Sequence, residues 1–104
     1  MAGRVGMVRR MTDRATRIEA ALRLAFAPVA LHVADDSARH AGHAGAAPGG
    51  QTHYTVAMVA AAFTGTSRVE RSRAVHAALA AEFATGLHAL TLALRTPGEA
   101  ETLR

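Results

Sequence analysis

Three short segments place apolar residues at every second position: Val29, Leu31 and Val33, then Tyr54, Val56 and Met58, then Leu90, Leu92 and Leu94. A period of two puts such side chains on one face of an extended strand. The chain must therefore build a sheet with one strand from each segment and cover its apolar face. The cover comes from residues at helical spacing. Ile18, Leu22, Ala25 and Phe26 follow a helix start at Thr12-Asp13, and Pro28 ends that helix. A second helix is predicted from Ser67 to Ala84. Ser67 is its N-cap, Gly86 its C-terminal cap, and Ser72, Val75, Leu79 and Phe83 its apolar face, with His76 at the edge. The second strand runs from Thr52 to about Ala60 and the third from Leu87 to Arg95, with Phe63-Thr64-Gly65 breaking the pattern between them. Thr96-Pro97 opens a last short helix.

The order helix, strand, strand, helix, strand, helix makes the first two strands an antiparallel pair and returns the third by a βαβ crossover. The expected fold class is α/β (α+β), a three-stranded mixed sheet packed with helices. A length of 104 residues suits a single domain. Half of the residues are hydrophobic, but many are alanine and only 4% are aromatic, so the core is expected to be thin. Residues 1–11 are expected to be a flexible leader ahead of a domain over 12–104. The leader has basic residues but no apolar core segment, which predicts a cytoplasmic protein. No run approaches the ~20 apolar residues of a membrane span, so no membrane partner is expected.

Between the first two strands lies a linker from Asp35 to Gln51, rich in Gly and Ala and holding Pro48, His40 and His43. It cannot pack a core, and loops of such length are functional or disordered. The chain has no cysteine, which excludes disulfides, a cysteine nucleophile and thiolate metal ligands of its own. Metal chemistry is left to histidine, carboxylates or a partner's sulfur. Net charge is +4 and every basic residue is arginine, which permits nucleic-acid contact without arguing for it. Asp35-Asp36-Ser37 has no nucleophile or oxyanion donors beside it and reads as a strand-end turn, so no enzyme is expected. Gly42-His43-Ala44-Gly45 spells a G-x-x-G, but between strands rather than between the helices of a KH module.

Several motifs, in order, resemble the BolA family. Thr52-His53-Tyr54-Thr55-Val56 with Phe63-Thr64-Gly65 is similar to its T/S-H-F-x-V…F-x-G. Arg71-Ser72-Arg73-Ala74-Val75, running on to Leu79, Glu82 and Phe83, is similar to R-H-R-x-V-x-x-x-L-x-x-E-L. Leu87-His88-Ala89-Leu90 matches V-H-A-L, and Thr96-Pro97-Gly98-Glu99 matches T-P-x-E. The likeness runs from about Arg14 to Glu99. It departs at Ser72, where most relatives have His, at Ala100, where they have Trp, and in a slightly longer first loop.

The resemblance implies a class II KH-like fold and a monothiol glutaredoxin partner with a Cys-Gly-Phe-Ser site. It implies a 2Fe–2S cluster shared between them, one iron held by the glutaredoxin cysteine and a glutathione thiolate, the other by the BolA-like protein. The implied role is non-enzymatic cluster trafficking or iron and redox signalling, and some members are described as transcription or cell-morphology regulators. His88 matches the family's constant ligand, and the second ligand is a loop histidine: His40 counting from Asp35, His43 counting from Thr52, with His40 preferred. Imidazole suits iron, and mixed thiolate–histidine ligation of such clusters is known chemistry. Arg71, Arg73 and His76 are candidate partner or nucleic-acid contacts. His53, of opposite parity to Tyr54, is expected on an exposed face in a structural role, and His32 carries no motif. The isolated chain is expected to hold no cofactor and to be a monomer or weak homodimer. Possible DNA binding and a metal-free interaction module are the rival readings.

Overall fold

The computed structural model describes residues 13–36 and 52–102. Helix α1 (Arg14–Phe26) leads to strand β1 (Ala30–Asp35). Strand β2 (His53–Val59) is followed by a 3-10 turn (Ala61–Phe63) and helices α2 (Arg68–Ala78) and α3 (Ala80–Ala84). Strand β3 (Ala89–Arg95) and helix α4 (Pro97–Thr102) complete the order. The sheet order is β1-β2-β3, with β1 antiparallel and β3 parallel to the central β2. That is the mixed α+β sheet which the alternation required. The register places Val56 opposite both Val33 and Leu92, and Met58 opposite both Leu31 and Leu94, so the three apolar stripes form one continuous face.

The helices cover that face. Ile18 and Leu22 of α1, Val75 of α2 and Leu79 after it are buried with Tyr54, Val56, Met58 and Phe63. At about 25 cal/mol per Å², burying such side chains is what offsets chain entropy in a core this poor in aromatics. Phe26 tilts against Phe63 at 5.2 Å between ring centroids. Ser67 and Glu70 form a reciprocal capping box at the start of α2.

The sequence predicts one helix to Ala84, but the helix breaks at Leu79. Neither proline nor glycine is there. Leu79 stays buried while the chain turns, and the turn carries Glu82 to Arg14 and Arg17 of α1. This junction of two helices is where a KH module would need a G-x-x-G loop. Here Leu79 joins the two helices directly, with no such loop between them, and Gly42–Gly45 lies outside the described residues. The predicted leader, residues 1–11, also lies outside the described residues.

Candidate functional site

His88 sits immediately before β3, and its side chain is exposed. Its parity with Leu90 would carry it to the helix side of the sheet, but strand pairing starts at Ala89, so parity does not govern it. Its position is fixed by the backbone: the His88 and Ala89 N–H groups both donate to the Thr52 carbonyl, at 2.8 and 3.1 Å. The buried Leu87 pins the preceding residue, its N–H donating to the Glu82 carbonyl at 2.9 Å.

His53 corrects the expectation of an exposed histidine, since it is buried, 9% accessible. The alternation that half-exposes Thr55, Ala57 and Val59 fails at the start of β2, where the His88 ring lies 5.2 Å from the His53 ring at 48°. The Thr52 hydroxyl and His53 Nδ1 lie 2.9 Å apart. The missed signal was that a histidine opening one strand and a histidine just before its parallel neighbour must meet at the same sheet end.

Asp36 and Thr52 bracket the segment that carries His40 and His43, which lies outside the described residues. Both brackets are tied to this corner. The Asp36 N–H donates to the His53 carbonyl at 2.8 Å, and the Thr55 hydroxyl donates to the Asp36 carboxylate. Among the described residues no three His, Asp or Glu side chains converge as a metal site. The corner therefore offers an accessible imidazole, at His88, rather than a complete ligand cage.

The expected α2 contacts divide. Arg71 is buried and engaged: it bonds Glu99, the Thr66 hydroxyl and the Leu94 carbonyl, and lies 5.7 Å over the Phe63 ring. Arg73 is exposed. His76 is exposed, donates from Nδ1 to the Ser72 carbonyl at 2.8 Å, and stacks on Phe83. Sequence reasoning missed Arg14, which is buried and bonds Glu82 and the Thr85 carbonyl and hydroxyl. Asp36, read as part of a strand-end turn, is held by the Thr55 hydroxyl. Burial raises the Tyr54 hydroxyl pKa to about 12, so it stays a neutral phenol.

A small α+β domain with a histidine corner at one end of a mixed sheet is a narrow class, and the comparisons define it further. A sequence profile for the BolA-like protein family matches residues 22–99, and the chain belongs to the BolA family. It is 41% identical over 91 residues to the SufE-like protein 1, chloroplastic/mitochondrial, of Arabidopsis thaliana, covering 84% of this chain and 24% of that one. It is 40% identical over 89 residues to Protein BOLA1, chloroplastic, of Arabidopsis thaliana, covering 84% and 56%. The chain thus spans about a quarter and just over half of these two relatives. Among solved structures it is similar to the BolA domain of SufE1 from Arabidopsis thaliana, with a TM-score of 0.76, 40% identity, and coverage of 84% of this chain and 95% of that one.

Two expectations are corrected. The fold is the BolA-type α+β fold of that solved structure, not a class II KH-like one. The cytoplasmic expectation does not stand, because these two relatives are named for chloroplast and mitochondrion. The family is one of accessory and regulatory proteins rather than enzymes, as the sequence reading expected.

Proposed function

We propose that this chain is a non-enzymatic accessory protein of iron–sulfur cluster handling that works with a glutaredoxin. His88 carries the reading. The family-motif residues Arg71, Glu82 and Leu79 are accounted for by packing and ion pairs, whereas His88 is exposed and held by its backbone, with the His53 ring as its one aromatic neighbour among the described residues. In this reading the cluster is cargo. His88 and one histidine of the linker, His40 in preference to His43, supply imidazoles to one iron of a 2Fe–2S cluster. The cysteine of a Cys-Gly-Phe-Ser monothiol glutaredoxin and a glutathione thiolate supply the other. A chain without cysteine fits only the histidine half of such a pair.

Chain length supports the ligand choice. His40 lies four residues beyond Asp36, a reach of about 14 Å when extended, and Asp36 is already bonded to His53 beside His88. His43 is seven residues out and is reached from the same anchor with more slack. Arg73 and His76, exposed on α2, are then docking contacts at most, and Arg71 is a structural residue.

The test is to mix the purified chain with a cluster-loaded monothiol glutaredoxin and record visible absorption and circular dichroism. A one-to-one complex with a spectrum moved toward mixed sulfur–nitrogen ligation is the expected result. An unchanged spectrum with no complex refutes the reading.

A further inference from the structure

Beyond the histidine corner, the sheet has a second exposed feature along its outer edge. Strand β3 pairs with β2 on one side, and among the described residues nothing pairs with its outer edge. Ala89 N–H donates toward β2 at Thr52, and the Arg95 carbonyl accepts from Ala60 on the same side. Backbone groups alternate sides along a strand, so Leu90, Leu92 and Leu94 direct their N–H and C=O groups to the open edge. Of these, the Leu94 carbonyl is taken by Arg71 Nη1 at 3.2 Å. Three N–H and two C=O groups remain for a further strand.

The space beside that edge is shaped to admit one. A groove of about 1100 Å³ runs between β3 and the first turns of α2, lined among others by Arg68, Ser72, Leu92, Leu94 and Arg95. A strand added to β3 would lie about 4.8 Å from it, inside this groove. Unpaired edges are normally blunted by charge or covered; here Arg71 guards only the Leu94 carbonyl, and among the described residues Leu90 and Leu92 are left open. The charges stand at the rim. Glu99 neutralises Arg71, whereas Arg68 and Arg95 are exposed and have no ion-pair partner among the described residues. The rim is therefore cationic, the floor mixes Leu92 and Leu94 with Thr66, Ser72 and Thr96, and the lining holds no aromatic side chain on which a nucleic-acid base could stack.

We propose that the open edge of β3 is a docking site for an extended acidic segment of a partner protein, which adds to the sheet as a fourth strand with its carboxylates on Arg68 and Arg95. Main-chain bonds supply the affinity and the two arginines select for acidic side chains. The site does not depend on the cluster reading, because it uses none of the histidines and its groove begins at Leu92, about 13 Å of strand beyond His88.

A fluorescein-labelled peptide of about ten residues alternating Glu and Val, titrated with the full chain and read by anisotropy, tests this. Saturable binding is expected, weakened about tenfold or more in the Arg68→Glu/Arg95→Glu double variant and by Lys in place of the peptide's Glu. N-methylation of alternate peptide amides should abolish it, with the native protein unaltered. Circular dichroism melting checks the double variant, and the Lys peptide reads the same charge selection if that variant is unfolded. No saturable binding overturns the proposal, as does binding indifferent to N-methylation. Tighter binding of a single-stranded oligonucleotide in the same groove, or a dimer in sedimentation that the peptide dissociates, also overturns it, by naming a different occupant.

Discussion

Arg71 grips both carboxylate oxygens of Glu99, with Nη1 to Oε1 at 2.6 Å and Nη2 to Oε2 at 3.2 Å. The same Oε1 accepts from the Thr96 N–H at 2.8 Å, and the Thr96 hydroxyl accepts from the Glu99 N–H at 3.1 Å. Two motifs 28 residues apart are thus one structural clasp that locks the start of α4 to α2. The guanidinium also covers Phe63, which ties the clasp to the core.

The clasp predicts an acid-sensitive stability. The Arg71 guanidinium, chiefly, with the Thr96 N–H, lowers the Glu99 carboxyl from an ordinary 4.5 to about 2. A carboxyl depressed in the folded state adds stability above its unfolded pKa and loses it as pH falls through the folded value. Urea denaturation between pH 5 and 2 should show a stability loss in the native chain that is reduced in Glu99→Gln. Equal slopes for the two chains would refute the assignment. A remaining slope is expected from Glu82, also lowered, by Arg17 first and then Arg14.

Glu82 should be the costliest polar position. It bonds Arg14 Nη1 at 2.8 Å and Arg17 Nε at 3.0 Å, and both Arg14 and Glu82 are largely buried, with side chains 9% and 12% accessible. Glu82→Ala strands Arg14 next to the α3 carbonyls. A loss on the order of 2–4 kcal/mol is expected by denaturant titration, against about 1 kcal/mol or less for Arg17→Ala, whose side chain is 35% accessible. Equal losses would mean that Arg14 does not depend on Glu82.

Backbone strain gives a pair of opposite outcomes. Ala27 caps α1 in the left-handed region, φ 46° and ψ 55°, with its N–H on the Arg23 carbonyl. Ala27→Gly relieves a Cβ penalty and should raise stability by about 1 kcal/mol. Gly86, at φ 129°, passes beside Arg14, and a Cβ there would meet Arg14 Nη2 at 3.0 Å. Gly86→Ala should cost more than 1 kcal/mol, roughly, because strain and displacement of Arg14 add. Thermal melts of both variants check the signs.

Much of this architecture was legible because sheet faces are read from parity. The alternations at Leu31, Tyr54 and Leu90 fixed three strands, their apolar face and the crossover, and Ser67 and Gly86 marked ends correctly. What was not legible depended on contacts distant in sequence. Arg71 looked like a surface arginine until Glu99, 28 residues on, paired with it. The break at Leu79 has no Pro or Gly to announce it, and it accompanies the contact of Glu82 with Arg14, 68 residues earlier. His53 was misjudged because parity holds inside a strand and fails at its first residue, where His88 covers it.

The histidines can be separated by substitution in the glutaredoxin complex. His88→Ala should abolish the spectral shift, since no other exposed imidazole is fixed at this corner among the described residues. His88 is exposed but lies against His53, so His88→Ala should cost about 1 kcal/mol or less, and a denaturant titration of the variant will show that lost signal reports ligation and not unfolding. His40→Ala should weaken the shift strongly and His43→Ala little; the reverse would move the second ligand to His43. His53→Ala is the control for geometry. Its ring packs against His88 from a buried position, so removing it should lower stability by about 1–3 kcal/mol and broaden the spectrum without abolishing it. If His53→Ala abolishes the shift while His88→Ala preserves it, the two rings have exchanged roles and the exposed histidine is not the ligand.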